Sequence, residues 1–162
     1  MRSSSSCAVR QSEVAFPMES AGTPPKIFHT SRRVEFVDTD MAGIAHFSNF
    51  FRWMEAAEVD FLKSRGLTVV GLPWKGERLT LPRVAASCDY TSPAYFEDVV
   101  EIALSVKLGR KSITYDTEFS RAGQLLARGK HTCCCCRVLG PRQLESIEIP
   151  AEIREKIVGS SQ

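Results

Sequence analysis

Residues Val34–Leu62 read VEFVDTDMAGIAHFSNFFRWMEAAEVDFL, and a change of pattern inside this stretch decides the fold. Up to Phe36 apolar and polar residues alternate, the two-residue period of a half-buried strand. From Ser48 onward Phe50, Met54, Ala57 and Phe61 recur near helical spacing, and Phe51 and Trp53 widen that face. Ser48 or Asn49 is placed to cap the free N–H groups at the helix start, and Gly66 to end it. A helix apolar over more than a narrow stripe has to be covered on most sides. Between strand and helix lies a loop that gathers Asp38, Asp40, Gly43 and His46.

The flanking segments supply the cover. Upstream, IFHTSRRVEF sets Phe28, Val34 and Phe36 against Arg33 and Glu35 and reads as a strand beginning near Lys26. Downstream, GLPWKGERLTLP is a connection broken by glycine and proline. Strands then follow around Arg83–Tyr90 and in DVVEIALSVKL, KSITYDTEFS and QLLARGKHTCCCCRVL, with LGRK and SRAGQ as hairpin breaks. PAEIREKIV adds a short terminal helix. One strand, one helix and then consecutive antiparallel strands make an α+β pattern in which a sheet covers a helix.

The chain of 162 residues has room for one domain with a proper core. Residues 1–25 read as a disordered N-terminal tail and 26–162 as the domain. The start is rich in serine and arginine and lacks an apolar centre, so it is no secretory signal; an upstream translation start before Met18 is the plainer reading, an organellar transit peptide over 1–17 the alternative. A net charge of +2 gives no general attraction to nucleic acid, and no apolar run reaches the roughly 18 residues of a membrane span. The six cysteines, four of them consecutive at 133–136, do not form the spaced pairs of a secreted disulfide framework, which favours a reducing cytoplasm. In a strand, Cys133 and Cys135 point one way and Cys134 and Cys136 the other, so the run cannot surround one ion and reads as small buried strand residues.

The quoted stretch resembles the signature of the 4-hydroxybenzoyl-CoA thioesterase family: a strand, D-x-D-x-x-G, an aromatic or histidine position, S/P-N-aromatic, and a helix with an acid near its second turn. CDYTSPAYFEDVVEI is similar to that family's second-strand segment and turn, and the resemblance spans roughly Ile27 to Val138. It implies a hotdog fold, an antiparallel β-sheet wrapped around a long central α-helix. It also implies an acyl-CoA substrate, hydrolysis of the thioester without metal or redox cofactor, and a homodimer or homotetramer with sites at the subunit interface.

Carried onto this sequence, the family's catalytic aspartate falls on Asp40. A carboxylate drives hydrolysis as general base or as nucleophile. Gly43 lets the backbone approach without a Cβ in the way, and the N–H groups of Ile44–Phe47, at a helix N-terminus, are candidates to polarise the carbonyl. His46 is a possible side-chain contributor, whereas Asp38 holds the loop through backbone hydrogen bonds. Asn49 ties the loop to the helix start, and Phe47 lines pocket or core. Arg110, Lys111 and Ser112, in GRKS, match the place where relatives approach the pantetheine or nucleotide, and CoA phosphates call for such cations. Glu55 and Glu58 read as a solvated face, with Glu55 the fallback catalytic acid. Two other readings stay open: a hotdog dehydratase or hydratase, and a non-catalytic acyl-CoA-binding or partner-recruiting module.

Overall fold

The alternation upstream of the loop becomes β1 (Phe28–Arg33), shorter than its pattern suggests. In the computed structural model, which describes residues 27–69 and 72–159, a 3-10 turn at Phe36–Asp38 replaces the end of that strand. Val34 stays in the core, but the turn swings Phe36 outward, where its ring meets Phe96 edge-on. The expected N-terminal tail lies outside the described residues.

Helix α1 (Ser48–Ser64) follows. It buries Phe50, Trp53, Met54, Ala57, Phe61 and Leu62. Each large side chain contributes about 1.5–3 kcal/mol, so tertiary burial rather than helix propensity holds the element. Its end is the expected glycine stop: Gly66, at φ +65°, lets its own N–H reach the Lys63 carbonyl and the Leu67 N–H reach that of Leu62.

The connection after the helix is more ordered than its Gly/Pro content suggests. It forms a hairpin, β2 (Leu72–Trp74) and β3 (Glu77–Thr80), across a Lys75–Gly76 turn with both φ angles positive. Then come β4 (Arg83–Tyr90), β5 (Val99–Leu108), β6 (Ser112–Arg121), β7 (Gln124–Cys134), β8 (Cys136–Gly140), β9 (Gln143–Ser146) and helix α2 (Ala151–Val158). The large sheet has the order β1-β5-β6-β7-β4 and the small one β2-β3-β8-β9. Thus β5, β6 and β7 form the expected meander, while β4 crosses to the far side of β7 and becomes an outer edge.

The cysteine run is where the chain changes sheets: β7 ends at Cys134 and β8 begins at Cys136. Cys133 and Cys135 face the core as their parity predicts, and the change of sheet buries Cys136 as well. The apolar side of α1 lies across the large sheet, dividing the core into two parts. Phe50, Trp53, Met54 and Ala57 meet Ile102, Phe119 and Leu126 in one; Phe61 and Leu62 meet Leu104, Ile113 and α2 in the other. Gly129 makes this approach possible, because a Cβ there would lie 2.3 Å from the Met54 sulfur.

Candidate active site

The loop between β1 and α1 is built on Asp38, as expected. Its carboxylate accepts the Glu35 N–H at 3.0 Å. Its carbonyl accepts both the His46 N–H and the Asn49 side-chain Nδ2, each at 2.8 Å. Asn49, almost fully buried, therefore ties loop to helix, but it does so by donating to a loop carbonyl and not by capping helix N–H groups. Phe47 occupies the N-cap position without a side-chain cap bond, so the expected Ser48 or Asn49 cap is not used.

Asp40 begins a tight turn in which its carbonyl accepts the Gly43 N–H at 3.0 Å and its own N–H reaches the Ile44 carbonyl at 2.9 Å. Gly43 sits at φ +75° with open space beside it, a conformation that any side chain would strain. The Asp40 carboxylate is exposed and accepts one internal N–H, that of Ala42 at 2.8 Å. Its remaining acceptor positions are available to a ligand.

Of the four N–H groups at Ile44–Phe47, two are committed: Ala45 donates to the Ala94 carbonyl and His46 to that of Asp38, both at 2.8 Å. Those of Ile44 and Phe47 have no acceptor among the described residues. The Phe47 N–H stands at the start of α1, where the helix dipole favours negative charge. His46 is half-buried. Its Nδ1 lies 2.8 Å from the Ser48 hydroxyl and 3.4 Å from the Ser48 N–H, and its ring rests on Phe47, so the imidazole supports the helix start.

Around Asp40 the surface is apolar. Phe36, Val37, Met41, Phe47, Tyr95 and Phe96 are all exposed, and Met41 is fully so. A carboxylate set in such a rim would lose water once a second surface covered it.

The GRKS residues lie elsewhere. Val34 and Ile44 are bonded or bridged to Asp98 and Tyr95, just before the start of β5, whereas Arg110 and Lys111 lie beyond its end. Ten strand residues separate the two ends, roughly 30 Å at about 3.3 Å per residue. Within one chain, therefore, Arg110, Lys111 and Ser112 do not meet Asp40. Arg110 pairs with Glu148 at 2.9 Å and Lys111 donates to the Ser146 carbonyl at 2.9 Å, which fastens β9 to the hairpin.

The two helix glutamates differ from one another. Glu55 is exposed, as expected, 3.5 Å from the Arg83 guanidinium. Glu58 is not on a solvated face: it is 1% exposed. Arg83 reaches it at 2.5 Å, His131 Nε2 lies 3.1 Å away, and the Cys133 thiol lies 3.7 Å away. Burial first, and then the Glu58 charge, push the Cys133 thiol up to about 12. Helical periodicity could not find this cluster, because the partners of Glu58 lie 25 to 75 residues from it and meet it only when β4 and β7 lie beneath the helix.

Comparison with known proteins decides the family. The thioesterase-like superfamily pattern matches residues 34–157, most of the described chain. The chain belongs to that superfamily. A 4-hydroxybenzoyl-CoA thioesterase from a Pseudomonas species is 32% identical over 135 residues, covering 76% of this chain and 92% of that protein. A 1,4-dihydroxy-2-naphthoyl-CoA hydrolase from a Synechococcus species is 33% identical over 106 residues, covering 62% and 81%. The crystal structure of a Synechocystis 1,4-dihydroxy-2-naphthoyl-CoA thioesterase superposes with a TM-score of 0.70 at 28% identity, covering 82% of this chain and 96% of that one. The antiparallel sheet and central helix are those of hotdog thioesterases, and the chain is an acyl-CoA thioester hydrolase. Among the described residues no helix is long and apolar enough to cross a membrane.

Proposed function

We propose that this thioesterase hydrolyses a hydroxylated aromatic acyl-CoA, with Asp40 driving attack and the Phe47 N–H receiving the carbonyl oxygen. The observation that carries the reading is one short loop that holds an under-occupied carboxylate and an unpaired N–H at a helix start. Asp40 either takes a proton from the attacking water or attacks the carbonyl carbon itself, giving an anhydride that water then opens. In both routes negative charge moves onto the carbonyl oxygen beside the N–H, and collapse expels the CoA thiol. The acyl class follows the activities named for the relatives. CoA is needed only as the carrier of the acyl group, and neither route draws on a further cofactor.

The same reading includes a homodimer formed along β4. That strand pairs with β7 on one side, its other edge is open, and Val84–Ser87 are exposed. A second copy added antiparallel there reverses the direction of its sheet. The GRKS hairpin of one chain then lies toward the Asp40 end of the other, which reconciles the roughly 30 Å separation with one CoA site. The five described cysteines are free thiols, in keeping with a cytoplasmic enzyme.

The test is thiol release from benzoyl-, hydroxybenzoyl-, dihydroxynaphthoyl- and long-chain acyl-CoAs by the wild type and by Asp40→Asn. The wild type should prefer the hydroxylated aromatic substrates, and Asp40→Asn should lose turnover while still binding them. Near-normal kcat in Asp40→Asn on the best substrate removes the assignment, and preference for a long aliphatic chain removes the substrate class.

A further inference from the structure

We propose that Tyr90 is a positioning residue for this reaction, holding Phe47 in the one orientation that aims its N–H at the substrate. The inference rests on the role given to the Phe47 N–H above. The Tyr90 hydroxyl donates to the Phe47 carbonyl at 3.0 Å, across 43 residues of sequence. It thus links the last residue of β4 to the residue that opens α1.

The grip is selective. Phe47 is flanked by two peptide groups. The one before it is fixed through the His46 carbonyl, which accepts the Asn49 N–H at 2.9 Å. The one after it is fixed through its N–H, 3.4 Å from His46 Nδ1, and through its carbonyl, held by Tyr90. Every polar atom of the two groups except the Phe47 N–H thereby has a partner.

Tyr90 is suited to this work. Its ring lies edge-on to Phe50, 5.3 Å between centroids, and Phe50 is itself held by Trp53 and Phe119. The hydroxyl therefore projects from an anchored ring even though the residue is 47% exposed. Burial of the hydroxyl, with the neighbouring Cys88 thiol and Asp89 charge, pushes it up to about 12, so it remains a proton donor throughout the neutral range. Nor does the carbonyl need Tyr90 for satisfaction. It also accepts the Phe50 N–H at 3.3 Å, and water can take the second lone pair. A role in stability would thus be small, and a role in orientation need not be.

Tyr90→Phe removes only the oxygen and keeps the ring. Because a small misplacement of a reacting group costs rate rather than affinity, kcat should fall about ten-fold with KM within about two-fold. The melting temperature and oligomeric state, measured on the same samples, should match the wild type. An unchanged kcat overturns the proposal, as does a parallel loss of kcat and affinity with lowered melting temperature, which is the signature of simple structural damage. Asp40→Asn run beside it separates the two levels. If Asp40→Asn is inactive and Tyr90→Phe is fully active, the positioning role alone fails; if Asp40→Asn is active, the hydrolytic reading fails and takes the positioning role with it.

Discussion

Two acids, Asp40 in the loop before helix α1 and Glu58 in the second half of that helix, live in opposite surroundings. Asp40 is exposed and accepts one internal N–H. Glu58 is sealed in, with a guanidinium, an imidazole and a thiol around its two oxygens. A buried carboxylate with both oxygens engaged cannot change partners during a reaction without a large penalty. One left with free acceptor positions, in the same loop as an unpaired N–H, can. The number of partners each acid already has, more than its nearness to the helix, separates the acid proposed to react from the one that holds the fold.

Replacing each of the two acids should split activity from stability. Asp40→Asn is expected to lower kcat by about 10²–10⁴, the usual contribution of a positioned acid or base, with little change in melting temperature. Glu58→Ala should do the reverse. Removing one partner of a buried pair costs about 3–5 kcal/mol, which a melting or urea curve would register at once. Equal effects on both measurements would erase the contrast. Arg83→Met attacks the same cluster from the sheet side. About 3 kcal/mol is expected, the low end of that range, because the Arg83 side chain is 38% exposed and His131 stays beside the carboxylate. Asn49→Ala tests the loop's anchor. Losing one of the two donors on the Asp38 carbonyl should cost about 1–2 kcal/mol and lower kcat through movement of the loop.

How far the two sites could be read from sequence follows from the same contrast. The Asp40 loop is local: Asp38, Asp40, Gly43 and Asn49 lie within twelve consecutive residues, so spacing alone conveys the turn and the helix start. The central helix and the β5–β7 meander are legible for the same reason, through periodicity in single segments. What stayed hidden depends on where strands pair. The position of β4 beyond β7 brings Arg83 to Glu58 and Tyr90 to Phe47, and no pattern within β4 reports it. The break at Cys135 was equally invisible, because cysteine fits either sheet. Helical periodicity placed Glu58 on a polar face, since a buried charge shows itself only through partners distant in sequence.

The smallest effect is expected at Glu55, and it bears on which acid reacts. Glu55 projects from the same helix one turn before Glu58, and its only ion-pair partner among the described residues, Arg83, is 3.5 Å away and already engaged by Glu58. Exposed pairs of this kind contribute little, about 0.2–1 kcal/mol, because solvent screens them and both side chains lose freedom in forming them. Glu55→Gln should therefore leave the melting temperature almost unchanged. If Asp40 is the reacting acid, kcat on the best substrate should also stay within about three-fold, since no step assigned to Asp40 passes through Glu55. A loss of kcat in Glu55→Gln comparable with that in Asp40→Asn would transfer the chemistry to the helix, and availability would then have to be judged in the proposed dimer rather than in one chain.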